Sequence, residues 1–381
     1  MVVTAAVRAT VVAVATAAVD AIVATVADAV VTEADAAANG AEAAATATAR
    51  KVAASPERAG GDALPAASRT PSRSCPSSQQ LISGAMPELP DIVAYIEALE
   101  RRVLGEEVTG VRVSSPSVLR TYDPPYDAPV GRDVVGLHRV GKRIVFEMEP
   151  QLYLVVHLMI AGRLRWEPPR KAIPRKVGLA AIDFEPGTLI LTEQGSHKRA
   201  GIWLFRDWDG VADLDRGGVE PLEVSADEFA AAIRSENRTL KRALTDPRIF
   251  SGIGNAYSDE ILWRAQLSPV KRTAQLTDGE VRGLHEAVVA SLTEWTERLR
   301  EEIGEGWPAK VTAFREEMAV HGKYREPCPR CGSPVQRIVY ASNETNYCAN
   351  CQTGGKLLAD RSLSRLLKED WPKTLEELEE V

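Results

Sequence analysis

Two pairs of cysteines near the C-terminus constrain the fold of this chain more than any other feature. The pairs are Cys328 with Cys331 and Cys348 with Cys351, and sixteen residues lie between them. Four thiolates at this spacing complete the tetrahedral shell of a zinc ribbon, which is a closed, structural site. Two disulfides are the alternative. Four of the chain's five cysteines lie in these pairs, which is not the pattern of a secreted disulfide scaffold, so one structural zinc ion per chain is expected.

The total charge excludes one simple class of protein. A formal net charge of −7 over 381 residues argues against a uniformly basic nucleic-acid-binding protein, although partners respond to local clusters of charge. One basic cluster lies within residues 163–176, and a second contains Lys241, Arg242 and Arg248. A solvated face explains either cluster as well as a binding surface does. No uncharged apolar run reaches the roughly 18 residues that span a bilayer, so no membrane partner is expected.

Residues 1–85 differ in composition from everything after them. They are dominated by Ala, Val and Thr and contain no aromatic residue, so they are not expected to form a core. Early acidic residues such as Asp20 and Asp28 argue against a signal or transit peptide. We expect a low-complexity extension that is disordered or that reflects a mis-assigned translation start.

The remaining chain divides by periodicity. Apolar residues recur at helical spacing from Leu89 until Gly105, and short β-type runs separated by Pro, Gly and Asp follow. This pattern predicts an N-terminal helix and a β-sandwich in residues 86–215. The predicted strands are Val108 to Val113, Arg143 to Met148, Tyr153 to Leu158, Leu179 to Phe184, Thr188 to Thr192 and Ile202 to Phe205.

Helical patterns dominate the second half of the chain. After a linker at 216–226, residues 227–318 predict a helical domain, residues 319–352 a zinc finger with a hairpin between the cysteine pairs, and residues 353–381 a helical tail. The tail helix is expected from about Lys356 to Lys368. The segment from Gly252 to Asn255 predicts a tight turn into a helix, which either cradles a phosphate with its N–H groups or simply connects two core helices.

Four motifs in one order give the chain a resemblance to a known family. They are Met86 to Pro90, His157 to Leu164, the glycine turn ending at Asn255, and the cysteine pairs. From 86 to 352 the chain resembles the formamidopyrimidine-DNA glycosylase and endonuclease VIII (Fpg/Nei) family. The resemblance implies an α+β multidomain fold: an N-terminal helix on a β-sandwich, a helix–two-turn–helix domain and a zinc-ribbon hairpin, with double-stranded DNA in the cleft.

The resemblance also implies an activity. The chain is expected to be a bifunctional glycosylase and abasic-site lyase that removes oxidised bases, with a lean toward oxidised purines, through an N-terminal Schiff base and β/δ-elimination. Pro87 would be the nucleophile, Glu88 the proton donor and acceptor, and Lys142 the lysine that contacts a phosphate. A terminal amine has a pKa near 8, so it needs less tuning than a lysine. A monomer in the cytoplasm, associated with the nucleoid and acting on damaged or abasic DNA, is expected.

Several DNA-contacting positions depart from the family pattern. Asn255 matches the family's phosphate-gripping asparagine, and Arg248 stands where a basic residue is frequent. Ile160 replaces the methionine that fills the gap left in the stack, and Lys198 and Ala200 replace an arginine and a phenylalanine of a second loop. Asn343 replaces the hairpin arginine and lacks its charge and bidentate fork. These departures keep a second hypothesis open, namely a damaged-DNA-binding module with weak or no turnover.

Overall fold

The computed structural model describes residues 86–195, 197–309, 311, 315–340, 343–359 and 372–379. The extension predicted for residues 1–85 lies outside this part of the chain. The side chain of Asn343 and residues 360–368 of the predicted tail helix also lie outside it.

Helix α1, Leu89–Val103, opens the described chain, and its own side chains define where it starts. The carboxylate of Asp91 accepts a hydrogen bond of 3.0 Å from the N–H of Glu88, and Pro90 has a φ angle suited to a first turn. Residues at helical spacing, among them Ile92, Leu99 and Val103, are fully buried. Helix α1 packs through this apolar face against the sheet that follows it.

Eight strands form two four-stranded antiparallel sheets, which confirms the predicted β-sandwich. The strand orders are β1-β6-β7-β5 and β2-β3-β4-β8. Apolar side chains of both sheets and of α1 share one core. The bounds are β1 Gly110–Val113, β2 Asp133–Val140, β3 Arg143–Glu149, β4 Leu152–His157, β5 Gly162–Glu167, β6 Gly178–Asp183, β7 Thr188–Glu193 and β8 Gly201–Phe205.

Strands β2 and β5 were not predicted, and their sequences explain why. A bulge between Val134 and Gly136 breaks the alternation of β2. In β5 the charged Arg163 and Arg165 alternate with two apolar residues only. Both strands lie at the edge of a sheet, where the alternating pattern of apolar residues in the sequence is weakest.

Helices follow the sandwich, as predicted. They are α2 Trp208–Ala212, α3 Ala226–Arg234, α4 Leu240–Thr245, α5 Asn255–Arg264 and α6 Asp278–Ile303. Their second core includes Phe229, Phe250, Tyr257 and Leu292, and Leu89 at the head of α1 belongs to the same core. The start of α1 is therefore anchored in the helical domain, while the rest of α1 lies on the sandwich.

A hairpin of β9 Val335–Tyr340 and β10 Asn343–Cys348, followed by α7 Ala349–Thr353, forms the zinc finger, and α8 Leu375–Glu379 ends the described chain. The tail helix predicted from Lys356 is wrong at residues 356–359, which are not helical. There Lys356 bridges to Thr374, and the N–H of Leu358 donates to the hydroxyl of Tyr347 at 2.7 Å. Hydrogen bonds to the hairpin and to the end of the chain replace those of a helix.

Within the described residues, every helix is too short or too polar to cross a membrane.

Candidate active site and metal centre

Glu88 lies at the N-terminus of α5, more than 160 residues away in sequence. Its carboxylate accepts backbone hydrogen bonds from Gly254 at 2.6 Å, Ala256 at 2.8 Å and Tyr257 at 3.3 Å. Only 2% of Glu88 is exposed. These N–H groups have no partner within the helix and carry the positive end of its dipole. The glycine turn thus cradles a carboxylate of the protein itself, which fixes the side chain in one orientation.

Lys142 faces Glu88 across Gly254. A β-carbon added to Gly254 would lie 2.4 Å from Nζ of Lys142 and 2.6 Å from Oε1 of Glu88. Lys142 sits in the tight turn between β2 and β3, where Gly141 has a φ of +61°. Burial lowers the pKa of Lys142, and the nearby carboxylates of Glu88 and Asp91 oppose that shift. The structure therefore brings two of the three predicted catalytic residues together.

Pro87, the third predicted catalytic residue, is buried immediately before Glu88. In the chain as printed its nitrogen is the amide that follows Met86. Two hydrogen bonds fix the backbone that follows Pro87, because the N–H of Glu88 donates to Asp91 and the N–H of Leu89 donates to the carbonyl of Gly252 at 3.0 Å. Pro87 is thus joined directly to a backbone segment of fixed conformation.

Asp91 and Arg315 form a buried pair beneath this turn that sequence reasoning missed. Nη2 of Arg315 lies 3.4 Å from Oδ1 of Asp91, and Nη1 lies 2.9 Å from a carboxylate oxygen of Glu302. Burial raises the pKa of Asp91 to about 6, against the opposing effects of the Glu88 N–H and the Arg315 guanidinium. No motif in the sequence marked Arg315, which comes from the segment after α6.

Asn255 is the first residue of α5 and joins that helix to the hairpin. Its Nδ2 donates to the carbonyl of Glu344 at 2.9 Å, and its own carbonyl accepts from Nζ of Lys241 at 2.6 Å. Lys241 also pairs with the buried Asp259 at 2.5 Å. Lys241 was noticed only as a member of a basic cluster. In the structure it supports the residue predicted to grip a phosphate.

The other predicted DNA-contacting residues lie on separate elements. Arg248 is exposed and pairs with Asp246 at 2.8 Å. Ile160 is 36% exposed in the turn after β4, and Lys198 donates to the carbonyl of Glu193. Within the described part of the chain, none of these three residues forms a hydrogen bond or ion pair with Glu88 or Lys142, so their roles stay predictions. For Asn343 the structure describes only the backbone, at the start of β10.

Ala200 is 1% exposed, and its N–H donates to a carboxylate oxygen of Glu193 at 3.0 Å. A residue packed in this way does not project from the surface. The position that aligns with the family's phenylalanine is therefore part of the sandwich core.

His157 is a further candidate that sequence reasoning did not assign. It pairs with Arg143 across β3 and β4, directly beside Lys142. Burial and the charges of Arg143 and Lys142 lower its pKa to about 4, so the imidazole is neutral at physiological pH. Its place at the head of the motif His157 to Leu164 was the only signal in the sequence.

The four paired cysteines meet at one point. All four Sγ atoms lie within 4.8 Å of one another, with Cys328 and Cys351 4.0 Å apart and Cys331 and Cys348 3.4 Å apart. Sulfurs at about 2.3 Å from zinc form a tetrahedron with edges of about 3.8 Å, which these distances match. All four cysteines are free, so the two-disulfide alternative is wrong. The predicted single structural zinc site is confirmed.

Three family profiles match consecutive parts of the chain. Residues 86–194 match the formamidopyrimidine-DNA glycosylase N-terminal domain, residues 218–303 match the formamidopyrimidine-DNA glycosylase H2TH domain, and residues 325–354 match the zinc finger found in FPG and IleRS.

Individual proteins give the same picture. The chain is 32% identical to a formamidopyrimidine-DNA glycosylase of Thermus thermophilus over 71% of this chain and 100% of that protein. It is 39% identical to an uncharacterised formamidopyrimidine-DNA glycosylase-like protein of Mycobacterium tuberculosis, over 40% of this chain and 94% of that protein. A solved complex of Lactococcus lactis Fpg with DNA containing an abasic site is 26% identical, with a TM-score of 0.61, over 70% of this chain and 99% of that one.

Proposed function

Because this chain belongs to the formamidopyrimidine-DNA glycosylase family, we propose that it removes oxidised bases from double-stranded DNA and then cleaves the strand at the resulting abasic site. Oxidised purines are the preferred substrates in this proposal. One observation carries it: the carboxylate of Glu88 and Nζ of Lys142 converge over Gly254, and the buried Pro87 directly precedes Glu88 in the chain.

The nucleophile is the nitrogen of Pro87, in a form of the protein that begins there. A terminal amine has a pKa near 8 and a lysine one near 10.4, so a lysine would require roughly 3 kcal/mol of tuning to be equally unprotonated. The nitrogen forms a bond to C1′ of the damaged nucleotide and loses its proton, and the base leaves with the electrons of its glycosidic bond and takes up a proton. Because proline is a secondary amine, opening of the sugar ring gives a cationic iminium.

Glu88 moves the protons of this step. A proton on its carboxyl group passes to the ring oxygen of the deoxyribose as the ring opens, and the carboxylate then accepts a proton again. Three backbone N–H groups hold the carboxylate in place. This preorganisation keeps the proton-transfer geometry fixed while the sugar changes shape.

Strand cleavage uses the iminium as an electron sink. Loss of a proton from C2′ sends electrons toward the iminium, and the bond from C3′ to oxygen breaks to release the 3′ phosphate; a second elimination releases the 5′ phosphate. Lys142 binds a phosphate next to the lesion and supports this departure. Its lowered pKa favours a lysine that can also exchange a proton during elimination.

Other residues hold the DNA in this proposal. Asn255 and Arg248 contact the backbone, Lys198 and Asn343 stand in for arginines, and Ile160 fills the gap left by the extruded nucleotide. Unstacking a base costs a few kcal/mol, which phosphate contacts and a filled gap offset.

Borohydride trapping tests the proposal, because reduction of the iminium links protein and DNA irreversibly. A chain beginning at Pro87 is expected to give a covalent adduct with duplex DNA that contains an abasic site. The matched control is the chain with residues 1–86 retained, which is expected to give none because its nitrogen is an amide. Intact-mass measurement of the native protein then shows which form exists.

A damaged-DNA-binding module remains the second candidate. It is favoured by the bond from Asn255 to the hairpin carbonyl of Glu344, which occupies one donor of the predicted phosphate grip. Tight binding to abasic DNA without any adduct from the chain beginning at Pro87 would establish this function and overturn the enzymatic one.

A further inference from the structure

Trp263, in the last turn of α5, reaches the metal centre. Its indole Nε1–H donates to Sγ of Cys328 at 3.3 Å, and Cys328 is only 2% exposed. A thiolate bound to zinc keeps lone pairs that react with electrophiles, and an N–H donor engages one of them. Groups that hydrogen-bond to metal ligands tune both the affinity and the reactivity of the site.

Arg330 packs over the face of the indole ring. It lies between the first two zinc ligands in sequence, and its guanidinium sits 4.3 Å from the centre of the Trp263 ring. The same guanidinium donates to the carbonyls of Trp263 at 2.9 Å and of Arg264 at 3.4 Å. The segment between Cys328 and Cys331 therefore binds the end of α5, and the indole ring has little freedom to turn its N–H away from the Cys328 sulfur.

The four ligands differ in how they are protected. Cys331 is the most exposed of the four and Cys351 is half-buried, whereas Cys328 and Cys348 are buried. Alkylation needs open approach to the sulfur and a free lone pair. At Cys328 the protein restricts both, because burial closes the approach and the indole N–H engages the sulfur.

We propose that Trp263 is a positioning residue of the zinc site that protects the Cys328 thiolate, so that electrophiles attack the cluster from the Cys331 side and zinc is retained for longer. In the attack, a thiolate sulfur forms a bond to the carbon of an alkyl halide, the carbon–halogen bond breaks, halide leaves and zinc loses a ligand. The proposal rests on the metal centre alone and is independent of the proposed DNA chemistry.

The test uses the full zinc-loaded chain, iodoacetamide as the electrophile and a chromogenic chelator that reports free zinc. Trp263→Phe keeps an aromatic ring and removes the N–H donor together with the five-membered ring that carries it, a loss of volume that the control below shares. It is expected to release zinc about tenfold faster, and peptide mass mapping at early times is expected to show a larger share of label on Cys328 relative to Cys331.

Trp295→Phe is the matched control. Trp295, like the half-buried Trp263, has an arginine over its ring, Arg298 at 5.1 Å, but it is buried in the helical core and packs against Tyr257 instead of the cysteines. Zinc release and labelling in this variant are expected to equal those of the parent protein. If Trp263→Phe behaves as Trp295→Phe does, the proposal is overturned. If Trp263→Phe does not fold with zinc, Arg330→Gln decides, since faster release supports the proposal and unchanged release overturns it.

Discussion

At Gly254 the lack of a side chain allows the site to form. A β-carbon there would come within 2.4 Å of Nζ of Lys142 and 2.5 Å of Cδ of Glu88. Gly254→Ala is therefore expected to separate the two groups and to lower single-turnover cleavage of abasic DNA on the order of 100-fold. Gly283→Ala is the control, because nothing lies within 4 Å of its added β-carbon. Unchanged cleavage by Gly254→Ala would show that the two groups do not act together.

Asp91 makes the free energy of unfolding depend on pH, and the direction of that dependence follows from its raised pKa. Its pKa is about 6 in the fold and 3.8 ordinarily, so between those values the folded form keeps a proton that the unfolded form has released. The contribution of Asp91 to the free energy of unfolding is therefore complete below pH 3.8. It falls by about 3 kcal/mol as the pH rises through 6. Asp91→Asn should remove this dependence, as urea unfolding at pH 4, 5 and 7 will show. An unchanged profile would contradict the assignment.

At Ala200, where the family has a phenylalanine, the structure leaves no room for a larger side chain. Because Ala200 is 1% exposed, Ala200→Phe is expected to overpack the sandwich and reduce the free energy of unfolding by about 1 to 3 kcal/mol. It should not increase affinity for abasic DNA, as fluorescence anisotropy can measure. A variant that is both stable and tighter in binding would show that the side chain turns outward.

Helix α5 is the element on which the whole site converges. The N–H groups of its first turn donate to the carboxylate of Glu88. Asp259, in its middle, accepts a hydrogen bond from the hairpin of the zinc finger, and Trp263, in its last turn, donates one to Cys328. Asp259 is 1% exposed and accepts from Lys241, from His321 and from the N–H of Asn346. One buried carboxylate therefore links α5 to Lys241 of the preceding helix, to His321 and to the hairpin.

Asp259→Asn is expected to lower the free energy of unfolding by about 3 kcal/mol, because it leaves the charge of Lys241 buried without its partner. Glu294→Gln is the matched control, since Glu294 pairs with Arg264 and Arg298 at the surface. Its effect should stay within about 0.5 kcal/mol. Urea unfolding compares the two, and equal effects would mean that the buried pair contributes no more than a surface one.

Features that depend on residues close together in the chain were predicted from the sequence, whereas contacts between residues far apart in the chain were not. The zinc ligands and α1 follow from spacing and capping within a few residues, so both were found. The contact between Glu88 and the N-terminus of α5 joins residues 166 apart. Arg315 lies in no motif, Lys241 stood out only as a member of a basic cluster, and His157 only as the first residue of the segment His157 to Leu164. Strand β2 was missed because its bulge at Gly136 breaks the period of two on which strand prediction depends.

Across the whole molecule, a net charge of −7 means that any grip on DNA comes from a few local cations. If Lys142, Lys198 and Arg248 each neutralise one phosphate, the logarithm of the binding constant should fall against the logarithm of salt concentration with a slope of about −3. Lys198→Ala should make that slope less steep by about 1.

Arg206→Ala is the control for this measurement, because Arg206 is paired with Asp123 at 2.7 Å and belongs to none of the proposed contacts. Fluorescence anisotropy between 50 and 200 mM salt, a range over which phosphate contacts weaken strongly, measures all three proteins. A slope near zero, or an equal change in both variants, would show that the predicted cations do not face the DNA. A slope near −3 that only Lys198→Ala reduces would indicate that an acidic protein binds a polyanion through a small set of positioned charges.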